Sequence, residues 1–294
     1  MYSFATLLQT FIDGLMIGSV YTTIAVGLSL SFGLMRMINW ASGELLMVSL
    51  YVAFVAVMQW GTDPYLTILI TAPVMFLLGY VLQKFVLNVL LEKDTAREPF
   101  SIMLFTSGLG LFLTNIMTYF FTSNSKYTTT KYTATSYIVN DVVISKPKLI
   151  SAVVALVAIL ILYYIVQKTE FGRALRATAQ NRQVAQLMGI NNKKIYAIAF
   201  ALGTALIGVS ASCLVPNITI FPTVGANYST KCFIIVVLGG RGSIPGCLLG
   251  GLLVGLIEKF GTLYWSESYS QLIVFAIFIL TLMFRPNGIL GKEN

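Results

Sequence analysis

The sequence predicts an all-α polytopic integral membrane protein. It would have about seven to eight transmembrane helices, one broken glycine-rich segment and a few short surface helices. Three observations carry this. Hydrophobic residues make up 57% of the 294-residue chain and charged residues 10%, whereas soluble domains carry about 25% charged residues. Several apolar runs approach or exceed the roughly 20 residues that span a bilayer as a helix. The runs are also continuous, while strands of a membrane barrel alternate polar and apolar over about ten residues.

The runs fall at about 6–32, 43–60, 65–86, 100–121, 149–166, 195–215, 231–258 and 268–284. The first follows "MYSFATLLQTF", which has no basic leader and no small-residue cleavage site, so it is expected to stay in the membrane. Its Gly14, Gly18 and Gly27 suit close helix packing. Between the first two runs lies "RMINWASGELLMV" (36–48), where Asn39, Trp40, Ser42 and Glu44 interrupt apolar sequence. A helix broken here would turn backbone and polar side chains toward a cavity, as transporter sites do. The other outcome is an interfacial loop with a tryptophan anchor.

"GTDP" (61–64) reads as a tight turn and "LEKDTAREP" (91–99) as a charged loop. In "FSIMLFTSGLGLFLTN" (100–115), Gly108 and Gly110 weaken the helix, and Thr106 and Ser107 could line a polar path or bond between helices. Residues 122–148 are rich in Thr, Ser and Tyr and lean toward β-structure.

Residues 167–195 are soluble, basic and helical. "FGRALRATAQNRQVAQLMGI" offers Leu175, Val184, Leu187, Met188 and Ile190 as apolar anchors, with helical spacing among the last of them. "TAQNRQ" (178–183) marks a turn or a second helix start. Gly189 is placed to stop a helix, and Asn191 to cap the next one. A surface that binds only anionic lipid needs positive charge alone. An apolar knob, Leu187-Met188, followed by a glycine suits a groove on a protein.

The run at 231–258 breaks in its middle at Gly239, Gly240, Arg241, Gly242, Pro245 and Gly246. Lys and Arg cluster at 84–98, at 167–195 and at the C-terminus, which makes these cytoplasmic and the N-terminus external. The four lysines of 122–148 dissent, yet the count makes that loop external. Eight single crossings would then leave the C-terminus outside. A half-helix in, a glycine turn and a helix back at 231–258 restores it to the cytoplasm, and irregular backbone at that depth is allowed when buried in protein.

Chemistry in the chain is sparse. Histidine is absent, and Cys213, Cys232 and Cys247 form no CxxC pair, so they read as buried free thiols. "GGRGSIPG" lacks the GK[ST] ending of a phosphate loop. No catalytic, metal or cofactor site is expected in this chain. Asp13, Glu44, Lys231, Glu258 and Lys259 fall near predicted span ends: a charge inside a span is a functional candidate, and the bland reading is a side chain that reaches the interface. A proton- or sodium-coupled carrier would need ionisable groups deeper than this.

Four stretches together resemble the branched-chain amino acid permease family of ABC importers, LivH-like. They are 14–51, the small-x-small, polar-polar, "MGI" pattern of 167–195, "LGGRGSIPGCLLGGLLVGLIE" (238–258) and "RPNGILG" (285–291). The resemblance implies one permease domain over 1–294, with an external loop at 122–148 and a cytoplasmic coupling loop at 167–195. It implies a multi-pass protein of the bacterial inner membrane. Partners would be a second permease (LivM-like or a second copy), two ATP-binding subunits that hold ATP and magnesium, and an extracytoplasmic solute-binding protein. Membrane lipid surrounds the chain, and no nucleic acid is involved.

By the same resemblance, Arg176, Gln180, Asn181, Leu187, Met188 and Gly189 would dock the ATPase. Asn39, Ser42, Glu44, Thr106 and Gly108 would line the substrate path. Ser42 stands where the family usually has histidine, and Gln180 where many relatives have an acid. Urea and short-amide permeases share the pattern, so branched-chain amino acids and these amides are both candidate cargoes.

Overall fold

The structure, a computed structural model, describes residues 3–35, 37–93, 100–128, 135–139 and 142–291. Arg97 and Lys292, and parts of the 91–99 and 122–148 loops, lie outside the described residues. The helices are α1 (Phe4–Met35), α2 (Ser42–Trp60), α3 (Ile68–Leu82), α4 (Asn88–Lys93), α5 (Phe100–Phe121), α6 (Lys146–Lys168), α7 (Glu170–Gln180), α8 (Arg182–Leu187), α9 (Asn192–Leu214), α10 (Val224–Gly239), α11 (Ile244–Tyr264) and α12 (Glu267–Phe284). A π-turn over Gln83–Leu87 joins α3 to α4. The β-leaning reading of 122–148 holds for one short hairpin, β1 (Ser136–Val139) and β2 (Val142–Ser145), antiparallel with Ser136 opposite Ser145.

Among the described residues, eight helical stretches are long and apolar enough to cross a membrane. They match the predicted runs except at 231–258. That run is two helices: α10 starts seven residues earlier than the run, and α11 ends six residues later. They are antiparallel, since Gly250 meets Ile235 and Gly246 meets Gly239. The break is therefore a helix hairpin closed at residues 240–243, the fold-back expected from the charge count. At 16 residues α10 is shorter than the eight long stretches.

A helix that is apolar all round belongs in a core. The apolar windows of α1 and α9 are 89% and 83% buried, whereas those of α5 and α12 are 17% and 11% buried, which puts the first two at the centre and the last two outside. Backbones at the centre nearly touch. A Cβ on Gly27 would come 2.5 Å from the Gly203 carbonyl oxygen, and one on Gly255 2.5 Å from that of Gly14. These contacts, and that of Gly33 with Gly242, run α11 antiparallel to α1. Thr204 donates to the Met75 carbonyl at 2.9 Å and Thr67 to Ser212 at 2.9 Å, which pins α3 against α9.

The ends of the bundle follow from these directions. The C-terminus of α1, the 240–243 turn and the tail gather at one end. There Ile289 and Leu290 donate backbone bonds to Leu238 and Gly239 at 2.8 and 3.2 Å. At the other end, Lys126 and Ile220 exchange backbone bonds at 2.8 and 2.7 Å, and α11 turns into α12 at residues 265–266.

Candidate functional site

Three groups of residues stand out, one at the α7–α8 end and two at depth. Thr169 starts α7: its side-chain oxygen accepts from Gly172 N at 3.2 Å. Asn181 separates the two short helices with extended backbone, and its Oδ1 accepts from Gln183 N and Val184 N at 3.0 and 3.1 Å. Such a cap stabilises a helix by about 1 kcal/mol. Gly189 has φ +84°, which stops α8 as the sequence suggested. Asn191 caps α9 through Lys194 N at 3.2 Å. Asn192 Nδ2 then reaches back to the Arg182 carbonyl at 2.9 Å, so α8 is tied to the start of α9.

Within this frame the apolar anchors divide. Leu175 is buried, while Leu187 is 86% and Met188 78% exposed. Short capped helices thus hold two large apolar side chains in the open. Covering each would yield about 1.5–3 kcal/mol.

Of the other expected docking residues, Asn181 and Gly189 are exposed, while Arg176 and Gln180 border a cavity. The Arg176 guanidinium donates to the Val166 carbonyl and, at 3.5 Å, to that of Gln167, the last turn of α6. Arg176 and Gln180 line a cavity of about 660 Å³ whose far wall is Gly33, Gly242 and Pro245. Helix α7 and the glycine break, read separately in the sequence, therefore face each other across one space. Arg241 at its edge lies 5.0 Å over the Phe32 ring. The break itself is tight: Cβ atoms on Gly239 or Gly246 would collide with the facing backbone, and Gly240 has φ +101°.

Midway through the bundle, residues 37–41 are non-helical and α2 begins only at Ser42. The break predicted at "RMINWASGE" is present, but its polar groups serve one another. Asn39 Oδ1 accepts from Ala41 N at 3.0 Å, and Ser42 donates to the Asn39 carbonyl at 3.0 Å. Trp40 N donates to Thr106 Oγ1 at 3.3 Å, and the Trp40 ring stacks 5.7 Å from Phe233. Ser229 of α10 accepts from Gly43 N at 2.8 Å and lies 3.1 Å from Glu44 Oε2. Gly110 is against the Glu44 side chain. Asn39, Ser42, Glu44 and Thr106 thus come together, with Asn39, Ser42 and Thr106 buried. Gly108 does not join them: nothing lies within 4 Å of a Cβ placed on it.

The group the sequence did not assemble lies on the other side of α10. Lys231 is in the middle of that helix, and its Nζ is 2.8 Å from Glu258 Oε2 of α11. Tyr21 of α1 donates to Glu258 Oε1 at 3.0 Å and lies 3.2 Å from Lys231 Nζ. Both charged side chains are less than one-fifth exposed. The expectation that they reach an interface is corrected here: α10 begins at Val224, which puts Lys231 two turns inside a helix. The only sequence signal was the two opposite charges. Asp13, nine residues into α1, pairs at 3.1 Å with Lys148, two residues from the start of α6. The three cysteines are free and buried, as expected. Among the described residues no cluster of metal ligands occurs.

The family described as branched-chain amino acid transport system / permease component matches residues 10–282. The high-affinity branched-chain amino acid transport system permease protein BraD of Pseudomonas aeruginosa is 33% identical, over 98% of this chain and 96% of its own. The protein named LivH in Escherichia coli K12 is 29% identical, over 99% and 97%. The probable LivH of Methanocaldococcus jannaschii is 29% identical, over 92% and 88%. No solved structure matches the chain.

Proposed function

The chain belongs to the family of branched-chain amino acid transport system permease components, and from that premise we propose how it works. It is the multi-pass membrane subunit of an ATP-driven importer of branched-chain and other hydrophobic amino acids, in a bacterial cytoplasmic membrane. The end bearing α7 and α8 faces the cytoplasm, and the 122–148 loop faces outward. Two ATP-binding subunits with their ATP and magnesium sit below, a second permease subunit beside, and a solute-binding protein above. This chain hydrolyses nothing itself. The full-length relatives named above carry branched-chain amino acids in their names, which disfavours urea or a short amide as cargo.

The observation that carries the reading is the exposed Leu187-Met188 pair on a capped two-helix platform. Leaving two large apolar side chains in water gains nothing for this chain alone. Seated in a groove of an ATPase, they gain burial area and transmit its closing motion. The path of that motion is short: α7 is bolted to α6 by Arg176, and the cavity behind it ends on the α10–α11 turn. A push on α8 reaches the hairpin that holds Lys231 and Glu258.

The test is partner identity. The tagged chain is purified from its own membranes in mild detergent, and co-purifying proteins are identified by mass spectrometry. A soluble ATP-binding subunit together with a second permease is the expected result. Recovery of the chain alone, in a preparation that still accumulates leucine, overturns the reading.

A further inference from the structure

The Lys231–Glu258 pair sits at depth in the outer half of the bundle. Lys231 is seven residues from the start of α10 and Glu258 six from the end of α11. At about 1.5 Å per residue the pair is roughly 10 Å below that end. Tyr21 bridges the two charges, and the Tyr21 and Tyr228 rings lie 4.9 and 5.9 Å from Lys231 Nζ. An ionisable pair held at depth between membrane helices is expensive to keep and marks a functional path more often than a fold requirement. A small cavity of about 50 Å³ opens on both charges. Its other walls include Asn227 and Gln271, and the apolar Ile234, Val254, Val274 and Phe275.

We infer that Lys231 and Glu258 form a binding site for the zwitterionic head of an α-amino acid, with the ammonium on Glu258 and the carboxylate on Lys231. This rests on the importer reading above and names the groups that would contact its cargo. The charge logic is specific. Separating a buried pair strands both ions, and a ligand with a single charge rescues only one of them. A zwitterion inserted between them gives each ion a partner, and the net charge at depth stays zero throughout. Tyr21, already hydrogen-bonded to both partners, donates to the incoming carboxylate when Glu258 turns to the ammonium. The apolar wall receives a hydrocarbon side chain.

A cavity of this size holds a few waters, not leucine, so the pair as seen is the closed, self-neutralised form. Opening requires α12 to withdraw, because it supplies Gln271, Val274 and Phe275. It is the least buried of the long apolar helices. Glu267 stands on the same cavity, at the start of α12, where it favours approach of the ammonium end.

The experiment uses the complete importer in nanodiscs without its binding protein, and measures binding of tritiated L-leucine. Competitors are unlabelled L-leucine, leucinamide, which lacks the carboxylate, and 4-methylpentanoate, which lacks the ammonium. The two single-charge analogues are expected to compete at least tenfold more weakly than leucine. Lys231→Gln and Glu258→Gln should each weaken binding at least tenfold. The decisive variant exchanges the charges, Lys231→Glu with Glu258→Lys. It keeps an ion pair, so the chain should reach the membrane at normal abundance. It reverses the two polar ends against a fixed apolar wall, so L-leucine should bind at least tenfold more weakly.

L-Leucine binding by the exchanged variant equal to that of the unaltered importer makes the pair structural and overturns the site. Equal competition by leucinamide does the same. Absence of leucine binding to the unaltered importer also overturns the site, and uptake of leucine by the same cells then shows that the importer reading stands without it.

Discussion

The guanidinium of Arg176 donates to the carbonyl of Val166, ten residues before it, and so fastens α7 to the end of α6. A basic residue at a helix C-terminus is also favoured by the helix dipole. Arg176 therefore makes its bonds inside the chain, between the α7–α8 pair and the spans. Arg176→Ala should leave co-purification of the ATPase unchanged and lower leucine uptake about tenfold. The lost charge-assisted hydrogen bonds amount to roughly 1.5–3 kcal/mol. Arg176→Lys should fall between, because one ammonium does not reproduce the fork of a guanidinium. Loss of ATPase binding in Arg176→Ala would instead place the residue at the contact itself.

Gly189 has the opposite profile. Its φ of +84° strains any other residue, yet a side chain there meets nothing within 4 Å. Gly189→Trp should therefore insert into the membrane normally, at a local cost of about 1–2 kcal/mol. It would project a bulky ring beside Leu187 and Met188 and abolish ATPase association. Unchanged co-purification of the ATPase would sink the assignment of this knob.

Two glycines in helix interiors should part company. At Gly27 an added Cβ meets the Gly203 carbonyl, and at Gly108 it meets open space. Gly27→Ala forces α1 from α9 and should cost about 1–3 kcal/mol as overpacking, seen as a lower unfolding temperature in detergent. Gly108→Ala should be neutral or stabilising by up to about 1 kcal/mol through helix propensity. A thermal scan of the two variants side by side decides it.

Sidedness can be read by cysteine labelling, since the three native thiols are buried. Ser266, between α11 and α12, and Tyr127 are exposed at one end of the bundle, and Gln186 of α8 at the other. Ser266→Cys and Tyr127→Cys should react with an impermeant maleimide added to whole cells. Gln186→Cys should react only after the cells are opened. Labelling of Ser266→Cys from the cytoplasmic side alone would mean that α10 and α11 do not form a full hairpin across the membrane.

The sequence carried the spans because continuous apolar runs are a local signal. It also carried the stops at Gly189 and 239–246 and the cap at Asn191, since these depend on residues within a turn or two. It missed the start of α10. "VGANYST" (224–230) has too little apolar periodicity to announce a helix, and it is helical because Gly225 packs against Gly43 and Ser229 bonds across to α2. That omission moved Lys231 to a span end and hid its partner, 27 residues away on another helix. The bonds of Arg176 were hidden for a similar reason: nothing near it in the sequence signals that its guanidinium meets the last carbonyls of α6.

Ser229 and Glu44 carry the last prediction. Ser229 Oγ accepts from Gly43 N at 2.8 Å and lies 3.1 Å from Glu44 Oε2, so one hydroxyl completes the start of α2 and serves a carboxylate. Ser229→Ala removes both contacts and leaves a buried backbone N–H without its acceptor, a cost of about 1–3 kcal/mol. The unfolding temperature should fall. Glu44→Gln keeps the size and an oxygen acceptor but removes the charge, and among the described residues the Glu44 carboxylate forms no ion pair. Its unfolding temperature should therefore hold or rise. If Glu44 touches the solute path, uptake falls in Glu44→Gln while stability does not, a separation that a purely structural carboxylate would not produce. Equal losses of stability and uptake in both variants would assign Glu44 to the helix start alone.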